Sequence, residues 1–188
     1  MSGKIVLLLG PMCAGKSTEL KRLLRKHQHA KKRIIALKNA IDVRNEDDRK
    51  GLLSSRDNST PIVATVVEKL SEFSLEGVEK AVIGIDEGQF FSPGDLTTFC
   101  LQAAQQNNLV IVAALSSDVN GDPWPSIAPM TALVDDIQFF AAVCDFCGED
   151  AAFTVKLGGG SALIDVAAKY APACRKCFYQ YHNKESGV

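Results

Sequence analysis

The 188-residue sequence has no apolar run approaching the roughly 20 residues that a membrane-spanning helix needs. Its apolar stretch at 5–9 is too short for the core of a secretory signal and ends in a glycine loop rather than a cleavage site. An excess of one charge is also missing. The formal net charge of −1 gives no bulk attraction to nucleic acid or to an anionic membrane. The one dense basic run, "RKHQHAKKR" at 25–33, lies within a helical pattern and reads as a solvated helix face. There is no internal repeat, and no low-complexity segment beyond "GGG" at 158–160. What remains is the composition of an ordinary globular protein, 46% hydrophobic and 23% charged, long enough for one well-buried domain with a small appendage. These absences lead us to expect a cytoplasmic protein with neither nucleic acid nor membrane as partner. In the cytosol thiols stay reduced, so paired cysteines point to metal or chemistry rather than disulfides.

Short apolar runs alternate with helical patterns along most of the chain. Strands are expected at 5–9, 33–38, 61–67, 81–86, 109–115 and 137–143, and helices at about 16–31 and from 92 onward. Ser92 suits an N-cap, Pro93 the first helical position, and Asp95 an approximate capping box. The segment "SEFSLEGVEKA" reads as a helix or turn, and the polar stretch at 39–60 is too long for a plain connection. Strands apolar on both faces and separated by helices predict an α/β fold with a mostly parallel sheet covered on both sides. Alternation stops after 143, where cysteine pairs and a glycine run appear, dividing the chain into 1–143 and 144–188.

Directly behind the first strand stands "GPMCAGKST", which satisfies G-x-x-x-x-G-K-S/T. Gly10, Pro11, Met12, Cys13, Ala14, Gly15, Lys16, Ser17 and Thr18 thus form a phosphate-binding loop. Gly10 and Gly15 let backbone N–H groups turn inward on an anion. Lys16 neutralises β- and γ-phosphate charge, and the Ser17 hydroxyl ligates magnesium. The helix that follows adds its N-terminal dipole. A strand before and a helix behind are the context the motif requires, so a nucleoside triphosphate, expected as ATP with magnesium, is the ligand.

Asp86 and Glu87 end the buried strand at 81–86, at the edge where open α/β sheets place their ligands. Asp86 suits the magnesium, and Glu87 can take a proton from an attacking hydroxyl or water. Cys144-x2-Cys147 and Cys174-x2-Cys177, with 26 residues between the pairs, give four thiolates for a tetrahedral zinc. Four sulfurs close the coordination sphere, so this zinc is expected to be structural. Cys100 reads as a small core residue on its helix.

"GPMCAGKSTEL", "KNAIDVR", "VIGIDEGQFF", "IVAAL" and the two terminal cysteine pairs occur in this order over residues 3–178. Together they strongly resemble the type II thymidine kinases. That resemblance implies a RecA-like phosphate-loop domain at 1–143 and a zinc-binding lasso domain at 144–188. It implies transfer of the γ-phosphoryl of magnesium ATP to the 5′-hydroxyl of thymidine or deoxyuridine in nucleotide salvage. Feedback inhibition by thymidine triphosphate and a homo-oligomer, tetramer or dimer, are implied as well. Residue by residue, Glu87 falls on the catalytic base, and Asp42 and Arg44 on a D-x-R near the metal and the transferring phosphate. Met12, Phe90, Leu115, Trp124 and Thr154 fall on the nucleoside pocket, and Tyr170 on a tyrosine that packs over the substrate.

Three departures from the family pattern fall on nucleoside recognition. Val119 stands where a ring is usual, Asp165 and Val166 replace a glycine pair, and Arg56-Asp57 replaces histidine-aspartate. A loss of stacking removes roughly 1–3 kcal/mol at comparable base sites. A second reading follows, a degenerate kinase domain serving as a regulatory or structural module of an oligomer. A nucleic-acid-dependent ATPase is disfavoured, because Lys156, Lys169, Arg175 and Lys176 are balanced by Asp145, Glu149, Asp150 and Asp165.

Overall fold

The computed structural model describes residues 3–41, 52–53, 62–158, 165 and 168–185. Asp42, Arg44, Arg56, Asp57 and Val166 lie outside them. Six strands form one sheet: β1 (Lys4–Gly10), β2 (Ile34–Asn39), β5 (Thr65–Val67), β6 (Val82–Asp86), β7 (Leu109–Leu115) and β8 (Asp136–Phe139). Their order is β5-β2-β6-β7-β1-β8, and every pairing is parallel. All carboxyl ends therefore lie along one edge, where the loop after β1 and the acids after β6 emerge.

Alternate residues of a strand point to opposite faces, and here both faces are covered. Val6, Leu8, Ala36, Val82, Ile111 and Ala113 pack with Leu20 and Leu24 of helix α1 (Lys16–His29). Ile5, Leu7, Leu9, Leu37, Ile83, Ile85, Val110 and Val112 pack with Leu96, Phe99, Cys100 and Ala103 of helix α2 (Pro93–Gln105). This explains why the strands read as unbroken apolar runs. Cys100 is fully buried, and burial pushes its thiol up to about 12.

Three expectations need correction. The run 61–67 is not one strand. β4 (Ile62–Val63) pairs antiparallel with β3 (Leu52–Leu53), and β5 pairs parallel with β2, so a single apolar run serves two partners. The run 137–143 also divides. Phe140 donates its N–H to Leu9 O (2.8 Å), and the chain then leaves the sheet for β9 (Ala142–Val143), which pairs with β10 (Asp150–Ala151). Nor does Asp95 close a capping box with Ser92. Its carboxylate accepts the N–H groups of Leu70 (2.6 Å) and Ser71 (3.0 Å), capping the 3-10 turn at Leu70–Glu72. Ser92 makes no side-chain cap bond.

Beyond β10 lie the antiparallel pair β11 (Phe153–Leu157) and β12 (Lys169–Ala173) and the helix α3 (Arg175–Glu185). Val155, Ala171, Ala173 and Phe178 form their core.

Candidate active site

The phosphate loop curls because Cys13 and Gly15 both take left-handed backbone angles (φ 63° and 82°). Gly15 then accepts the first helical bond from Glu19 (2.9 Å), and α1 begins at Lys16 with its N–H groups toward the loop. Lys16 is buried, and its ammonium crosses the loop to donate to Pro11 O (2.7 Å). One residue on, the Ser17 hydroxyl donates to Asp86 Oδ1 (3.0 Å). Two of the three groups expected at the magnesium are thus together, brought from β6 and α1 across the sheet edge; the third, Asp42, lies outside the described residues. Paired hydroxyl and carboxylate oxygens at this place form a hard-donor set that fits a magnesium ion accompanying a triphosphate.

Glu87 leaves β6 in the left-handed region (φ 52°, ψ 46°), which is costly for a residue with a Cβ and is met at sites where a side chain must be aimed. The next position has to be glycine for packing reasons, since a Cβ on Gly88 would stand 2.5 Å from Val112 Cγ1. Gln89 is the residue the sequence reading passed over. It is buried, its amide donates to Glu87 Oε2 (2.5 Å), and its Oε1 accepts the N–H of Leu115 at the end of β7 (3.0 Å). Its own carbonyl takes the Ser126 hydroxyl (3.0 Å). Gln89 therefore fixes the carboxylate against the neighbouring strand end. A polar residue two positions after an acid and just before "FF" was the available signal.

The structure brings together two of the rings expected at the nucleoside, Phe90 and Trp124, edge to face with centroids 6.2 Å apart. Trp124 is 6% exposed, and its indole N–H has no hydrogen-bond partner among the described residues. Leu115 meets this group through the Gln89 bond. Thr154, expected at the nucleoside, also makes a bond to the loop. Its hydroxyl accepts the N–H of Met12 (3.0 Å), tying β11 to the phosphate loop. The Tyr170 hydroxyl donates to Asp165 O (2.8 Å), and the Asp165 carboxylate pairs with Lys156 (3.2 Å). The aspartate that departs from the family glycine is thus anchored at both backbone and side chain.

Cys144, Cys147, Cys174 and Cys177 converge, with their sulfurs all within 4.8 Å of one another and Cys147 to Cys174 at 3.6 Å. Tetrahedral zinc with bonds of about 2.3 Å sets sulfurs about 3.8 Å apart, so the cluster fits. Burial alone would raise the Cys144 thiol, but backbone hydrogen bonds around it, at Cys174, Phe146 and Cys147, outweigh that and hold it down to about 6. Burial and the neighbouring thiols push Cys177 up to about 12. Crowded sulfurs that resist shared ionisation are stabilised by a divalent cation.

A Gly-rich loop between strand and helix, bonded through its serine to a carboxylate at a parallel strand end, defines a phosphate-loop nucleotide-binding protein of the α/β class. A scan of protein-family models matches residues 3–178 to thymidine kinase. The chain belongs to the thymidine kinase family. A thymidine kinase of rabbit fibroma virus is 35% identical over 94% of this chain and 97% of that protein. The human cytosolic thymidine kinase is 36% identical over 95% of this chain and 74% of that protein. The solved flagellar accessory protein FlaH of Methanocaldococcus jannaschii is similar at a TM-score of 0.46. It is 12% identical over 86% of this chain and 75% of that one, too distant to bear on function.

Proposed function

We propose that this protein transfers the γ-phosphoryl group of ATP to the 5′-hydroxyl of thymidine, with deoxyuridine as a second acceptor, in nucleotide salvage. The observation that carries the reading is the Ser17–Asp86 bond with Glu87 next in sequence and held by Gln89. One carboxylate is thereby bonded to the Ser17 hydroxyl and the other to the Gln89 amide. Magnesium, held by Ser17 and Asp86 with Asp42 contributing, would neutralise charge on the β- and γ-phosphates.

In the step itself the 5′-oxygen forms its bond to the γ-phosphorus as the bond to the β-bridging oxygen breaks, releasing ADP. Glu87 takes the hydroxyl proton. Lys16 and Arg44 balance charge on the phosphoryl oxygens in flight, and the loop from Gly10 to Thr18 holds the donor. Met12, Phe90, Leu115, Trp124, Thr154 and Tyr170 enclose the nucleoside. Residues 1–143 form the kinase domain, and 144–188 the lasso domain stapled by structural zinc. Thymidine triphosphate is the expected feedback inhibitor, a tetramer or dimer the expected assembly, and the cytoplasm the expected location. Among the described residues no helix is long and apolar enough to cross a membrane.

The test is phosphoryl transfer from magnesium ATP to thymidine, deoxyuridine and the other deoxynucleosides, with Glu87→Gln as control. We expect transfer to thymidine and a loss of about 10²- to 10⁴-fold in kcat in the variant, with ATP affinity within about twofold. Val119 in place of a ring and the anchored Asp165 favour the degenerate-domain reading as runner-up. Nucleotide binding with no transfer to any nucleoside would establish it.

A further inference from the structure

The cysteine cluster and the end of β7 are joined by a helix. α3 starts one residue after Cys174, carries Cys177 in its first turn, and places Phe178 N–H on Cys174 O (2.8 Å). Further along, both ring nitrogens of His182 face carbonyl oxygens. Nδ1 is 3.0 Å from Phe178 O in its own helix, and Nε2 is 3.0 Å from Val119 O in the loop after β7. The imidazole lies against the buried Phe178 ring at 4.3 Å, and that ring against Phe153 at 4.7 Å. A second, independent contact joins the same two pieces. A Cβ on Gly121 would stand 3.1 Å from Phe178 Cζ, at a backbone φ of +86°. The loop is seated closely on α3, and its positive φ at Gly121 favours glycine there.

The loop is internally rigid. Asp118 Oδ1 accepts the N–H groups of Asn120 (2.8 Å) and Asp122 (3.0 Å), and Ser117 bridges Pro123. It enters from Leu115 and exits into Trp124, so whatever fixes its middle also fixes both of these side chains.

We propose that His182 is a positioning residue. It clamps the loop 116–123, and through it Leu115 and Trp124, to the helix that grows out of the cysteine cluster, so metal occupancy of the cysteines is felt in the nucleoside pocket. The proposal rests on reading Leu115 and Trp124 as nucleoside-side residues. The Thr154–Met12 bond is a separate tether from the same region to the phosphate loop, so cutting the His182 clamp alone affects the nucleoside and leaves ATP held.

Trp124 is the only tryptophan of the chain, and its fluorescence reports this loop directly. The experiment uses the full zinc-loaded chain, His182→Ala and His182→Gln, the last keeping an N–H at the reach of Nε2. Zinc content and far-UV circular dichroism are measured alongside. In the parent, stripping zinc with a chelator shifts Trp124 emission and raises the KM for thymidine. In His182→Ala the thymidine KM is already up about three- to tenfold, with the ATP KM and kcat within about twofold. Chelation then adds little to either readout, because the link is already cut. His182→Gln recovers the parental zinc response. A folded, zinc-loaded His182→Ala with the parental thymidine KM, or with an undiminished zinc-dependent change in Trp124 emission, overturns the proposal. If the parent turns over no nucleoside, the proposed function falls. The fluorescence response of parent against variant then still decides the clamp.

Discussion

A single run of chain, Gly10 through Thr18, supplies the proposed phosphate side, whereas the nucleoside side draws Phe90, Leu115, Trp124, Thr154 and Tyr170 from separate stretches. The first works largely through backbone N–H groups whose direction is set by the turn into α1, so any sequence that makes the turn makes the site. The second works through side chains whose positions depend on hydrogen bonds between distant segments. Its substitutions, such as Val119 and Asp165, can change what is recognised without touching how phosphate is held. Departures from the family pattern accumulate on the side where a change is local.

Gln89 stands between the two sides, bonded to Glu87 and to Leu115 N, and after the proposed base itself its loss should have the largest effect. Gln89→Leu leaves a buried N–H unpaired and lets the carboxylate swing. We expect kcat to fall about tenfold to a hundredfold and stability to fall by about 2 kcal/mol, read by steady-state kinetics and urea melts. A variant with parental kcat would show that Glu87 is aimed by its backbone alone.

The cysteine region touches both sides, through Thr154 on Met12 and His182 on Val119. Its zinc affinity should depend on acid in a defined sense. Zinc takes thiolates, and in the metal-free cluster Cys177 keeps its proton up to about 12, whereas Cys144 has lost its own above about 6. A backbone hydrogen bond at Glu149 lowers the Cys147 thiol, but the Cys144 and Cys174 sulfurs and burial outweigh it and hold that thiol above its ordinary value too. Binding at neutral pH therefore displaces at least the Cys147 and Cys177 protons, so affinity rises about a hundredfold or more per pH unit. Below the Cys144 value a further proton competes and the fall steepens. Chelator competition between roughly pH 5 and 8 measures the slope, and a flat profile would argue against a thiolate set.

Much of this was legible in the sequence, and the reasons are physical. The loop, the acids and the cysteines are consecutive or closely spaced, and the sheet strands are buried on both faces. Chemistry and burial are both written locally there. Partner choice is not. The apolar run at 61–67 could not disclose that β4 turns to β3 while β5 joins β2. Nor could Asp95 disclose that Leu70 and Ser71 present their N–H groups to it. Gln89 and His182 went unassigned for the same reason, since each acquires meaning only when a backbone group more than 20 residues away is set opposite.

Thr154 tests the division directly, because family resemblance assigns it to the nucleoside while its hydroxyl holds the phosphate loop. Thr154→Val keeps the shape and orphans Met12 N–H. The expected cost is about 1–2 kcal/mol, appearing as a several-fold weaker ATP affinity with the thymidine KM little changed. The opposite pattern would mean that Thr154 serves the nucleoside rather than the loop.

The smallest effect is expected at Trp124, and for a reason peculiar to this fold. Trimming a buried indole to a benzyl ring ordinarily removes packing and destabilises. Here the indole N–H is buried without a partner among the described residues, a burden of about 1–3 kcal/mol that Trp124→Phe removes together with the lost contacts. The ring facing Phe90 is retained. The two terms oppose each other, so the melting free energy should stay within about 1 kcal/mol of the parent. A shift in thymidine affinity without a shift in stability would then locate the effect in the bound state. A large loss of stability would mean instead that the packing of the indole against Phe90 and its neighbours outweighs its orphaned donor.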